Sequence, residues 1–340
     1  MNRFYNRSVV FLSALAICMA AVAGALGQEP VGAPKVPKGI APGHPPVAPV
    51  IAVDNFERSL AVDPSLNLQL CVTQGDVKVN GWNRNELRVF VHDGSKFAFK
   101  VLQNSPKSQA PVWIALVGVD EKRRTPAATE CIAGGEIEID VPLRTTINFK
   151  GQETSTVIDS VRKVDTKTIG GDISIRNVTE GVTAATYEGD VTVESSSGPM
   201  SLESTTGNIV VFEAGPSDVG DGFRAKTSGG AISLQNLGYR QVEANSISGS
   251  VSLIGDILSN GTYAVGTQNG SIRLALPQNT ACSVITTYGY GSFNSALPFE
   301  VQTENLTPGD VKRIVGTLGK GGTATLRLTT GNGTIAIKKL

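Results

Sequence analysis

Histidine is nearly missing from this chain: His44 and His92 are the only two in 340 residues. The four cysteines join neither histidine at ligand spacing, so the sequence offers no zinc-type cluster. The glycine- and aspartate-rich nonapeptide that holds calcium between coils is also missing. We therefore expect no metal and no cofactor. Charge is sparse and balanced, with 30 Lys+Arg against 30 Asp+Glu and no basic run. That excludes the footprint of a nucleic-acid binder and of a polybasic lipid anchor. Aromatic residues make up 6% of the chain, and no segment beyond the apolar N-terminal run sustains a 3.6-residue period. A helical fold is excluded on that ground.

Glycine is what the chain has in plenty, 38 residues of it, and between Val164 and Leu274 it is periodic. Gly171, Gly189, Gly207, Gly230, Gly249 and Gly270 follow one another at 18, 18, 23, 19 and 21 residues. Two and four residues after each stands an aliphatic side chain, from Ile173/Ile175 to Ile272/Leu274. Three before each is Thr168, Thr186, Ser204, Thr227, Ser246 or Thr267. A repeat near 20 residues built on period-2 alternation is too short to bury its own apolar row, so its units must stack into a solenoid. The glycine falls at the bend between two short strands, where a positive φ or close backbone approach is needed. The fold expected is all-β: a β-solenoid, most simply a parallel β-helix of about 20-residue coils over 164–340. Gly198 with Met200 and Leu202 inserts the motif at half spacing, which leaves a sandwich as the alternative.

The chain before the repeats divides into three. Arg3 and Arg7 precede an uncharged run ending in Ala25-Leu26-Gly27, the pattern of a secretory signal peptide over 1–27; an uncleaved anchor is the competing reading. Cys18 follows bulky Ile17, which argues against a lipoprotein site. Residues 28–50 hold seven prolines and read as an extended, disordered linker or stalk. Residues 51–163 form a less regular β part. There Gly75-Val77-Val79 and Gly135-Ile137-Ile139 match the register, Gly81 to Arg84 turns into Leu87, Val89 and Val91 as a hairpin, and Trp82 caps an apolar end. Glu121-Lys122-Arg123-Arg124 reads as a solvated loop, and Lys338-Lys339 as a charged finish to an open sheet edge.

Three pieces carry a resemblance: Gly75 to Leu87, the Thr/Ser-x-x-Gly-x-apolar-x-apolar units, and Gly316 to Gly322 followed by Leu326 to Ile335. In that order, over roughly residues 65–340, they resemble the bacterial DUF4097 family, the toastrack β-strand repeat domain catalogued as adhesins. The resemblance implies a β-helix-like domain at the cell envelope, adhesion or envelope-stress sensing, and no established catalytic residues.

Catalysis has few places to sit. Parallel β-helices that cleave acidic polysaccharides gather acids and bases on one face over successive coils. Asp172 and Asp190 share the slot after the glycine, with Glu188 close by, but the slot continues as Asn208, Ala231, Ser250 and Ser271. The two acids read as turn residues. His92 ends a strand, and Gly319-Lys320-Gly321-Gly322 lacks the spacing and the helix of a phosphate loop. The loop 215–222, with Asp218 and Asp221, is the remaining place for a carbohydrate-active site. Cys71 and Cys131 either form a bridge, leaving Cys282 unpaired, or Cys71, which extends an apolar run, and Cys282, which flanks one, are ordinary core residues. The Thr/Ser columns serve inter-coil hydrogen bonding and the turn; the alternative is an outward hydroxyl ladder for glycans or a β edge. The expectation is a non-enzymatic, exported, adhesin-like solenoid at the periplasm, cell surface or outside the cell. It would contact envelope polysaccharide, a cell surface or a membrane protein. Its alternatives are an envelope-stress sensor with a membrane partner and a carbohydrate-active enzyme.

Overall fold

The computed structural model describes residues 55–102, 111–119, 131–307, 309 and 311–340. The expected leader (1–27), the proline-rich segment (28–50) and the charged loop 121–124 lie outside the described residues. Among the described residues every regular element is a strand. The first part supplies β1 (Phe56–Ala61), β2 (Asn67–Trp82), β3 (Glu86–His92), β4 (Phe97–Leu102), β5 (Trp113–Gly118), β6 (Ile132–Pro142) and β7 (Thr146–Asp159). The repeats supply β8 (Lys163–Gly170), β9 (Ile173–Arg176), β10 (Val182–Glu188), β11 (Val191–Glu194), β12 (Met200–Ser204), β13 (Ile209–Ala214), β14 (Phe223–Thr227), β15 (Ile232–Leu237), β16 (Gln241–Ser246), β17 (Val251–Ile254), β18 (Thr262–Asn269) and β19 (Ile272–Leu276). The last part is β20 (Cys282–Tyr290), β21 (Phe293–Ser295), β22 (Phe299–Asn305), β23 (Lys312–Leu318), β24 (Thr325–Asn332) and β25 (Ile335–Lys339).

From β8 to β19 each strand pairs in parallel with the strand two places on, so one coil is two strands and the chain winds as a solenoid. The even-numbered strands form one face and the odd-numbered strands the other. Because strand side chains alternate, the aliphatic pairs after each glycine all point inward. Ile173, Ile175, Val191, Val193, Ile209, Val211, Ile232 and Leu234 are at most 1% exposed. Fully burying such a side chain is worth about 1.5–3 kcal/mol, and every coil repeats the gain. Gly198 does not make a half-length repeat: it lies at the second corner, against Gly181, and Met200 and Leu202 open the next coil.

Parallel stacking begins before the repeat register. The first half of β7 pairs with β8 and its second half with β9, so one long strand makes a whole coil. β2 lies on β7 throughout its length, and β5 and β6 lie on β2. With both edges of β2 taken, β3 has no place beside it. The expected hairpin does not form; β3 instead runs antiparallel between β1 and β6. At the other end, β24 lies between β18 and β20, and β25 between β19 and β21. Lys338 and Lys339 therefore do not finish an edge; they pair in register with Ala275 and Leu276, and their side chains reach solvent. The antiparallel pair β22–β23 covers β20 instead.

A disulfide joins Cys71 to Cys131 with their Cα atoms 4.6 Å apart, tying β2 to the start of β6. Cys282 is free and buried, and burial pushes its thiol up to about 11.

Candidate binding groove

The corner glycines form a column in which backbone touches backbone. A Cβ on Gly207 would stand 1.8 Å from the carbonyl oxygen of Gly189, and one on Gly230 would stand 2.0 Å from that of Gly207. Neither residue needs a left-handed φ, so close approach, not backbone conformation, selects glycine here. From Ser204 onward the hydroxyl three residues before the corner secures this contact, whereas Thr168 has no partner and Thr186 reaches Gly171 only at 3.5 Å. Ser204, Thr227, Ser246, Thr267 and Thr330 donate to the carbonyl oxygens of Gly189, Gly207, Gly230, Gly249 and Gly270 at 2.8–2.9 Å. These side chains are buried, so the outward hydroxyl ladder does not exist at that slot.

The acids after the glycines are turn residues as well. The Asp172 carboxylate accepts from the Asp190 amide at 2.8 Å, the Asp190 carboxylate from the Asn208 amide at 2.7 Å, and the Asn208 side chain from the Ala231 amide at 2.9 Å. Each spends its acceptor on the next coil. In the loop 215–222, Asp221 accepts from the Arg240 amide at 2.9 Å and from its guanidinium at 3.3 Å. His92 ends β3 half-buried. Trp82 donates its indole N–H to the Glu86 carbonyl at 2.8 Å, with the Arg84 and Arg88 guanidinium groups over its ring. Gly319 and Gly321 take left-handed φ values of 58° and 73° in the turn that leads to β24. Among the described residues no three His, Cys, Asp or Glu side chains gather as a metal site.

A feature that does cross many coils lies on the outside of the even-numbered face, beside the corner column. It is an open groove of about 790 Å³, running from β8 over β10, β12, β14, β16 and β18 to β24. Seven strands at about 4.8 Å give it a length of roughly 29 Å. Its floor is the outward column four residues before each corner: Lys167, Ala185, Glu203, Lys226, Asn245 and Gly266. Tyr187 and Ile247, 57% and 47% exposed, stand along the corner side as apolar walls. Lys226 lies 3.7 Å from Glu243, and the Asn245 amide donates to the same carboxylate at 3.0 Å, which fixes the middle of the floor. Sequence reasoning looked for the site among acids and buried hydroxyls. The signal it passed over was the outward slot next to them, where charged, amide and small residues replace one another from coil to coil.

The Toastrack DUF4097 model matches residues 133–338, more than half of the chain. The chain belongs to this family. The toastrack span starts within β6, so β2 precedes it in sequence yet sits inside the toastrack stack, between β6 and β7. The groove lies wholly within the toastrack span. No curated protein sequence matches the chain. The solved structure of a candidate cell adhesion protein from Clostridium sporogenes shares 11% identity at a TM-score of 0.25, covering 84% of this chain and 100% of that one. That of a candidate adhesin from Bacteroides fragilis shares 15% identity at a TM-score of 0.39, covering 84% of this chain and 97% of that one.

Proposed function

We propose that this toastrack chain is an exported, non-enzymatic, adhesin-like solenoid that holds an extended partner along the even-numbered face. The observation that carries the reading is the groove: one continuous surface over seven strands, repeating at the coil spacing, suited to a polymer lying along the stack. Its polar groups vary from coil to coil, as a binding floor requires, while the Asp172 and Asp190 carboxylates are engaged in turns. Membership of the toastrack family, for which the resemblance implies adhesion at the cell envelope, agrees with it.

The test fills the groove. Ala185 sits half-buried on the outward floor, so Ala185→Trp blocks the surface without entering the core. The full chain is applied to an array of envelope polysaccharides: the wild type is expected to bind and the variant to lose that binding. Equal binding by both proteins removes the groove from the reading, and turnover of any bound polymer removes the non-enzymatic part.

A second reading, a sensor that pairs its sheet edge with a membrane partner, draws on β22. That strand is hydrogen-bonded only to β23 among the described strands and is exposed from Glu300 to Asn305. A free edge of this kind can receive an added strand. Cross-links from β22 to a membrane protein in intact cells, with polysaccharide binding absent, would favour it.

A further inference from the structure

At one end of the groove two lysines stand side by side. Lys150 of β7 and Lys167 of β8 are in register across a parallel pair, both exposed, and neither has an ion-pair partner among the described residues. Like charges directly opposite one another cost stability, so this arrangement is one that an anion would relieve. The neighbouring acids do not neutralise it. Asp165 lies two residues before Lys167 on β8 and Glu153 three residues after Lys150 within β7, just before the corner, and neither comes within ion-pairing distance.

Next along the same column comes Ala185, then Glu203. The methyl leaves a gap between Lys167 and Glu203 of two strand spacings, roughly 10 Å, enough for one sugar ring. Tyr187 walls that gap on the corner side and is 57% exposed. An exposed aromatic face beside a cation pair and a carboxylate acceptor suits a ring that carries an anionic group and hydroxyls.

We propose that Lys150, Lys167, Ala185, Tyr187 and Glu203 form a subsite for a carboxylate-bearing sugar, so that the extended partner is an acidic polysaccharide built from uronic acid units. The carboxylate lies on Lys167 and Lys150, a ring hydroxyl donates to Glu203, and the apolar ring face packs on Tyr187. This rests on the groove reading above and adds the charge of the ligand to it.

Calorimetric titration of the full chain with hexagalacturonate, with its methyl ester and with a glycerol phosphate oligomer tests the proposal. Hexagalacturonate is expected to bind, and its methyl ester, neutral but of the same shape, is not. Each of Lys150→Gln and Lys167→Gln should weaken binding about fivefold, the worth of an exposed charge pair of about 1 kcal/mol, and the double variant about 25-fold. Both lysines point to solvent and each substitution removes one of two facing like charges, so an unfolding midpoint equal to or slightly above that of the wild type accompanies the loss. For the unaltered protein, affinity should fall as salt is raised from low to high concentration. Equal binding of ester and acid, with sensitivity to Ala185→Trp kept, overturns the charge inference and leaves the groove standing. Preference for the phosphate oligomer overturns the uronate assignment, and a double variant that binds like the wild type overturns the lysine pair. Binding of hexagalacturonate that ignores Ala185→Trp overturns this proposal together with the groove.

Discussion

Gly230→Ala tests the corner contact most directly. The added Cβ would stand 2.0 Å from the Gly207 carbonyl oxygen and 2.5 Å from its carbon, whereas real Cβ atoms essentially never come within 3.0 Å. The corner must therefore open by at least about 1 Å between two coils. Thr227 resists that opening: its hydroxyl donates to the Gly207 oxygen at 2.8 Å and accepts from the Gly230 amide at 3.2 Å. Behind it the Ile209 amide donates to the Ala231 carbonyl at 2.9 Å. Separating the coils leaves at least one buried polar pair unmade, at about 1–3 kcal/mol for each orphaned group. A gap of that width also forfeits a quarter to a half of each dispersion contact across it, here between the Ile209 and Ile232 rungs. Together these put the cost at about 3–5 kcal/mol, the range reserved for real collisions in a core. Gly229 supplies the control, since a Cβ there meets nothing nearer than 3.5 Å. Gly229→Ala should lie within about 0.5 kcal/mol of the wild type. Urea unfolding of the oxidised full chain, followed by far-UV circular dichroism, gives both values from the midpoints at unchanged slope. If the two variants unfold together, close approach is not what selects glycine at the corners.

Thr156 and Thr166 are buried, with hydroxyls that have no hydrogen-bond partner, in slots that the next coil fills with Ile173 and Ala184. Thr156→Val and Thr166→Val should each raise stability by about 1–2 kcal/mol in the same urea experiment, and a loss in both would contradict the assignment of those hydroxyls as unpaired. The Cys71–Cys131 bridge closes a separation of 60 residues, so replacing both cysteines by alanine should cost roughly 4 kcal/mol and lower the thermal midpoint. A midpoint that does not move under reduction would show that the bridge constrains nothing. Burial raises Cys282 to about 11 and also raises Tyr239 and Tyr263, so the unfolded chain gives up these protons first. Stability is then complete below the unfolded thiol value of about 8.5 and falls as pH rises through about 8.5–10 and onward. Unfolding midpoints across that window check the slope, and Cys282 should stay unlabelled by a thiol reagent until the chain unfolds.

Periodicity made the coil readable because one physical constraint, the touching corners, recurs at every turn. The aliphatic rungs, the hydroxyl column and the turn role of Asp172 and Asp190 all followed from it, and each has its place in the structure. The second corner was not readable. Ser160, Asn177, Ser195, Glu213 and Asn236 occupy left-handed φ values of 46–58°, one per coil, six residues after each first-corner position. Only two of the five are asparagine, the non-glycine residue most at ease there, so no residue type repeats to betray the column. The β7 coil also hid its register by exchanging the two key residues. Thr154 sits where the others have glycine, between Gly75 and Gly171, while Gly151 takes the hydroxyl slot opposite Thr168. A Cβ on Gly151 would meet the Thr154 hydroxyl at 2.2 Å, so the small residue makes room for the displaced side chain. The groove escaped for a different reason: an outward column is free to vary, and variation is what a repeat search discards.

The ends of the stack explain where the pattern fades and where it returns. A coil with neighbours on both sides must present a glycine corner and aliphatic rungs to each of them, whereas a terminal coil answers to one neighbour. β20–β21 has no coil on its second face: β20 takes antiparallel β23 there and β21, only three residues long with Phe293 in the rung, pairs with β25 alone, so Gly291-Phe293-Ser295 departs from the template. The last residues of the chain, from Leu326 to Ile337, return to it because β24–β25 is inserted between β18–β19 and β20–β21 and is gripped on both faces. The same device operates at the start, where β2 is inserted between β6 and β7. Sequence regularity in this solenoid therefore reports position in space rather than position along the chain. Among the described strands, open edges fall to the antiparallel strands β1, β4 and β22, whose side chains are free of the template, and to the three-residue β21.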